Sequence, residues 1–148
     1  RGASVANAGF AFAAFSAAMA TMRFLGDRVR DRFGAVRTLR ISALIAAVGM
    51  LGAGIAPEAW MVIAAFSFAG LGIANTVPIA FSAGGNHPGL PPGAGMSVVT
   101  TIGYSGILVA PSALGFVGVH VGFAPVYVGV AAILLLVAAL AGYAKAAD

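Results

Sequence analysis

Cysteine is absent and charge is scarce. Without a thiol the chain forms neither a disulfide framework nor a thiolate metal site. Asp, Glu, Lys and Arg make up 8% of its 148 residues, against about 25% in a soluble domain whose surface must be wetted. With a mean hydropathy of +1.02, so little charge excludes an ordinary water-soluble globule. It also excludes disorder and coiled coil, both of which need polar or charged repeats. Acids are the scarcest group: Asp27, Asp31, Glu58 and Asp148 all sit at the ends of apolar runs. No run therefore carries the central carboxylate that proton coupling usually needs. No nucleophile–base pair and no metal-ligand constellation is present, so neither enzyme chemistry nor a cofactor is expected. His87 and His120 fall in links between runs and read as solvated residues.

What is present is hydrophobic length. Apolar residues make up 61% of the chain, and each membrane crossing takes roughly 20 of them. Five runs are legible, at about 6–26, 39–56, 59–82, 94–117 and 123–143. A charged segment at 27–40 follows the first run, Pro57-Glu58 closes the second, and a cluster of breakers from Gly84 to Gly93 follows the third. Buried strands rarely exceed about 8 residues, and membrane strands alternate in polarity. These runs are longer and continuously apolar. The fold expected is all-α, a polytopic transmembrane bundle of five spans. Pro78 and Pro111 fall within spans, where kinks are tolerated. Gly70 and Ala74, four apart, read as a close helix-packing face rather than as part of a dinucleotide fingerprint.

Six of the eight basic residues (Arg23, Arg28, Arg30, Arg32, Arg37 and Arg40) crowd into one short stretch. In a chain this apolar they indicate a cytoplasmic loop, not nucleic-acid binding. Five crossings then place the C-terminal tail, with Lys145, in the cytoplasm, and Trp60 at the outer interface. Residue 1 is Arg rather than Met, so the chain reads as cut from something longer.

Polar side chains are distributed unequally among the spans. Ser97, Thr101 and Tyr104 fall on one face of the fourth span, and Ser16 and Arg23 align on the first. The third carries Asn75, Thr76 and Ser82, whereas the second has only Ser42 near its end and the fifth has none from Val128 to Leu140. Spans one, three and four are thus expected around a wet cavity, and two and five against lipid. Asn75, Thr101, Tyr104, Ser97 and Ser16 are its candidate lining residues. A lone Ser or Thr also satisfies its hydroxyl on the preceding turn. Asn75 has an amide its own helix cannot fully satisfy, so it either joins two helices or lines the cavity.

The most specific segment runs from Arg23 to Gly34 (Arg-Phe-Leu-Gly-Asp-Arg-Val-Arg-Asp-Arg-Phe-Gly). Physically it is a tight turn whose acid caps a helix N-terminus while arginines neutralise carbonyl ends. It resembles the signature loop of the major facilitator superfamily, with Asp31, Arg32 and Gly34 matching the Asp, basic, any, Gly core. It departs from the pattern at Asp27, where the family has Gly, and at Ala35-Val36, where basic residues are usual. The resemblance covers the whole chain and fits helices 8 to 12 of that fold, whose peripheral helices would be the second and fifth spans here. The segment around Gly26-Asp27-Arg28, with Asn75-Thr76-Val77-Pro78 downstream, is similar to a bacterial branch that includes the rhizopine-associated membrane protein.

That resemblance implies a partial major-facilitator fold: the C-terminal fragment of a secondary transporter that moves a small solute by alternating access. Arg23, Asp27, Asp31, Arg32 and Gly34 would form the gating loop. The partners implied are the lipid bilayer, the missing N-terminal half and a small-molecule solute, with no nucleic acid. The location implied is the bacterial inner membrane. The alternative is a small membrane-embedded structural or partner-binding subunit.

Overall fold

The computed structural model describes residues 5–148, and every element among them is helical. The order is α1 (Val5–Phe33), α2 (Ala35–Ile55), α3 (Ala59–Gly85), α4 (Ala94–Val121) and α5 (Phe123–Leu140), ending in a 3-10 helix, η1 (Ala141–Ala147). Five helices are long and apolar enough to cross a membrane, the last one counted together with η1. The 29 residues of α1 extend about 44 Å at 1.5 Å per residue, well beyond the ~30 Å hydrocarbon core.

That excess length corrects one expectation. The charged segment 27–40, read as a loop, is helical except at Gly34. Gly34 makes the whole turn alone, with φ 78° and ψ 159°, a backbone conformation open only to glycine. Its N–H donates to the Arg30 carbonyl (2.7 Å) and its own carbonyl accepts from the Thr38 N–H (3.1 Å). Gly122 repeats the device between α4 and α5, with φ 87° and ψ 159°. The breaker cluster after the third span likewise starts later than its sequence suggests, since α3 runs on to Gly85.

Small side chains set the packing. Lipid tails are as apolar as leucine, so membrane helices associate through close contact rather than through expulsion of water. α3 lies between α1 and α2, and α5 covers the other side of α2. A methyl group added at Gly72 would lie 2.3 Å from the Ser42 carbonyl oxygen, and one at Gly49 would lie 2.5 Å from the Ala69 nitrogen. At Gly70 it would meet the Phe15 carbonyl oxygen at 2.6 Å, and Ala74 is buried beside it, so this pair is a packing face, against α1. Ala46, Ala47, Met50, Ala69, Ala131 and Leu134 form the central cluster, with Phe66 and Tyr127 edge to face at 5.2 Å beside it.

α2 is thus the most enclosed helix of the segment. Beyond Arg37 and Arg40 near its start, the residues it leaves exposed, Ile41, Leu44, Val48, Leu51 and Ile55, recur every three or four positions as a single apolar stripe. α4 buries only Gly95 and Gly118, near its two ends.

Candidate functional site

The lower half of α1 presents Arg23, Gly26, Asp27 and Arg30 along one face, at spacings that stack side chains on successive turns. With Ala74, Asn75, Val77, Pro78, Ile79 and Phe81 of α3 they line a cavity of about 430 Å³ at the Arg-rich end of the bundle. Gly26 is the only buried residue of α1, and the reason is Asn75. A methyl group at Gly26 would lie 2.2 Å from the Asn75 side-chain oxygen. The Asn75 amide nitrogen reaches the Ser42 hydroxyl of α2 at 3.5 Å, the long limit of a hydrogen bond. Asn75 thus touches α1 and α2 from α3 and forms part of the wall of this hollow.

The other candidates are placed differently. Ser97, Thr101 and Tyr104 are exposed on α4, Tyr104 by 62%, and neither of the two cavities described takes a residue from α4. Ser16 is half-buried and outside both. Arg23 and Asp27 belong to the cavity rather than to a loop. Asp31 and Arg32 are exposed, with the Arg32 guanidinium 5.7 Å from the centre of the Phe33 ring.

The expected capping acid is also a different residue. The first N–H of α2, at Ala35, donates to the Asp148 carboxylate, so the cap comes from the far end of the chain rather than from Asp31. Arginines do neutralise carbonyl ends: Arg30 donates to the Ala147 carbonyl and, at 2.9 Å, to the Ser82 hydroxyl, while Arg40 donates to the Ala138 carbonyl at 3.3 Å. Nothing in the sequence distinguishes Arg30 from its neighbours. Only the packing of η1 against the α1–α2 junction does so.

A second cavity, also about 430 Å³, opens at the opposite end between α1, α3, α5 and the α2–α3 turn. Its wall is Phe12, Phe15, Phe66 and Tyr127, with Asn7 and Glu58 at the polar edge. The Glu58 carboxylate accepts from the Trp60 indole N–H at 2.5 Å. These aromatics lie on three separate helices, and no single-helix pattern marks them as a group. One bundle thus has an apolar aromatic hollow at one end and a charged one at the other.

The family model described as the Major Facilitator Superfamily matches residues 1–146. An uncharacterised MFS-type transporter of Yersinia pestis is 38% identical over 117 residues, which is 79% of this chain and 30% of that protein. The membrane protein MosC of Rhizobium meliloti is 38% identical over 104 residues, 70% of this chain and 26% of its own length. An uncharacterised transporter, y4wD, of Sinorhizobium fredii is 30% identical over 116 residues, 78% of this chain and 31% of its own length. No solved structure matches the chain. It spans less than a third of the length of these relatives. Matched by one family model along nearly all its length, and built as five membrane-crossing helices, the chain belongs to the Major Facilitator Superfamily.

Proposed function

We propose that this segment is the C-terminal part, helices 8 to 12, of a bacterial inner-membrane secondary transporter that moves a small solute by alternating access. One observation supports this reading above the others. Four polar groups from two helices, Arg23, Asp27, Arg30 and Asn75, gather around one cavity between α1 and α3, while the exposed stripe of α2 is aliphatic from Ile41 to Ile55. Ionisable groups inside membrane bundles characteristically line solute or ion pathways, because lipid exposure costs several kcal/mol (about 2.5–3.5 on insertion scales). Transporters of this kind rock two helical units around a central site.

In this reading Asn75 is a solute-contacting residue. The exposed α4 row of Ser97, Thr101 and Tyr104, with Ser16 on α1, faces the path only when the rest of the protein encloses it. Arg23, Asp27, Asp31, Arg32 and Gly34 act in gating, and both the Arg-rich end and η1 lie in the cytoplasm. The family is one of transporters, and no enzymatic step is assigned to any residue.

The test uses the full-length protein freed of other cysteines, with single cysteines at positions 75, 101 and 104. Aqueous thiol reagents should reach all three, and a transported solute should protect position 75. Cysteines at 101 and 104 that react only from the lipid phase would remove α4 from the pathway.

A further inference from the structure

The segment from Ala141 to Asp148 does not trail away from the bundle. Ala141, Ala144 and Ala147 are buried in one cluster with Ala35 and Leu39 of α2 and Ile79 of α3. Two polar fastenings hold the segment at its end. The Asp148 carboxylate accepts the first N–H of α2 and sits against Gly34, where a methyl group would lie 3.1 Å from it. A carboxylate there satisfies an otherwise orphaned amide and complements the positive end of the helix dipole. The Arg30 guanidinium bridges the Ala147 carbonyl and the Ser82 hydroxyl near the end of α3. Arg30 is also part of the wall of the charged cavity.

We propose that Ala141–Asp148 is a strap that sets the opening of the charged cavity, by fixing the Arg-rich ends of α1, α2 and α3 to one another through Asp148 and Arg30. The two cavity walls, α1 and α3, are joined at this end through Arg30: its stem rises from α1 and its head holds α3 and the strap together. Releasing the strap leaves that guanidinium with Ser82 alone and leaves Ala35 without its acceptor. The inner half of α1 is then free to part from α3, and the cavity widens beside Ala74, which is only 1% exposed while the strap is fastened. Three buried alanines with no branched side chain among them make a seat that is shallow enough to open. Every contact that fastens the strap lies within the segment, and none involves a solute.

The experiment uses the full-length protein, free of other cysteines and in detergent, with Ala74→Cys as reporter and a water-soluble maleimide as probe. Asp148→Ala should speed labelling about fivefold, the shift in population that losing one capping hydrogen bond produces. Arg30→Gln should do the same. Asp148→Asn should label at the parent rate, because Asn serves as well as Asp in accepting a helix's first amides. Equal rates in the parent and Asp148→Ala would overturn the proposal. A second measurement leaves Asp148 and Arg30 unchanged and so holds even if their variants fail to fold. A single cysteine at 144, where the alanine is only 7% exposed within the buried cluster, should resist the maleimide in the folded protein. Labelling at the rate of a fully exposed cysteine would show that the strap is not seated, and would equally overturn the proposal. Neither readout depends on solute movement, so both are independent of whether the transport reading stands.

Discussion

α2 and α4 are both long and apolar enough to cross a membrane, yet they sit in this segment in opposite ways. More than half of α2's apolar window is buried, and almost none of α4's is. The difference lies in the placing of small residues. α2 puts Ala43, Ala46, Ala47, Gly49, Ala53 and Gly54 on the sides that meet α3 and α5, and gathers its large side chains into one outward stripe. α4 distributes Ile102, Ile107, Leu108, Val109, Leu114 and Phe116 around its circumference. Its Gly106 and Gly115 face open space. Hydropathy takes a helix into the bilayer, but only backbone approach at small residues decides which neighbour it holds.

Breaking that contrast should produce the largest effect. Gly72→Leu drives a side chain into the α2 backbone, where even a methyl group would meet the Ser42 carbonyl at 2.3 Å. It should cost at least ~3 kcal/mol, the upper range for forced overpacking, and abolish the folded fraction measured by size-exclusion chromatography in detergent. Gly106→Leu, the same change on α4, should leave that fraction intact, since surface substitutions stay within about 0.5 kcal/mol. Equal losses would show that α4 is packed as tightly as α2 in the intact protein.

The two single-glycine turns sharpen the comparison at the next level. Gly34→Ala and Gly122→Ala both force alanine into the same left-handed backbone, at a cost of about 1–3 kcal/mol each. Only Gly34 has a neighbour as well, the Asp148 carboxylate, whereas nothing lies within 4 Å of a methyl group at Gly122. Thermal midpoints should therefore fall further for Gly34→Ala. Asn75→Ala comes third. It removes the tie to Ser42 and should lower stability by about 1 kcal/mol, the usual worth of one internal hydrogen bond. Thr101→Val on α4 should shift the midpoint by less than the error of the measurement. A comparably small effect is expected for Trp60→Phe, which frees Glu58 from the indole N–H at an exposed turn. A drop under ~0.5 kcal/mol in the same thermal assay would be in keeping with that position.

Much of this molecule is readable from its residues in order. The five runs, the helical rather than strand character, the packing role of Gly70 and Ala74, and the family resemblance all follow from composition, spacing and the Arg23–Gly34 segment. The charged segment misleads because charge and helicity are separate properties. Arginine is a good helix former, so α1 continues through Asp27–Phe33 after its apolar run has ended. The cavity was half legible. Asn75 stands out because a buried amide needs partners beyond its own helix, but Ser97, Thr101 and Tyr104 share a face of α4 that neither α1 nor α3 covers in this segment.

Composition and run length alone dictate the solvent and the secondary structure: a chain with so little charge and such long apolar runs leaves its backbone amides no choice but to pair within helices in lipid. The partners come from the packing. That Asp148 rather than Asp31 caps α2, that Arg30 alone among six clustered arginines ties three elements together, and that α2 is enclosed while α4 is bare are facts about which surfaces meet. Close approach between helices depends on the shapes of both at the point of contact, and no single stretch of sequence contains both.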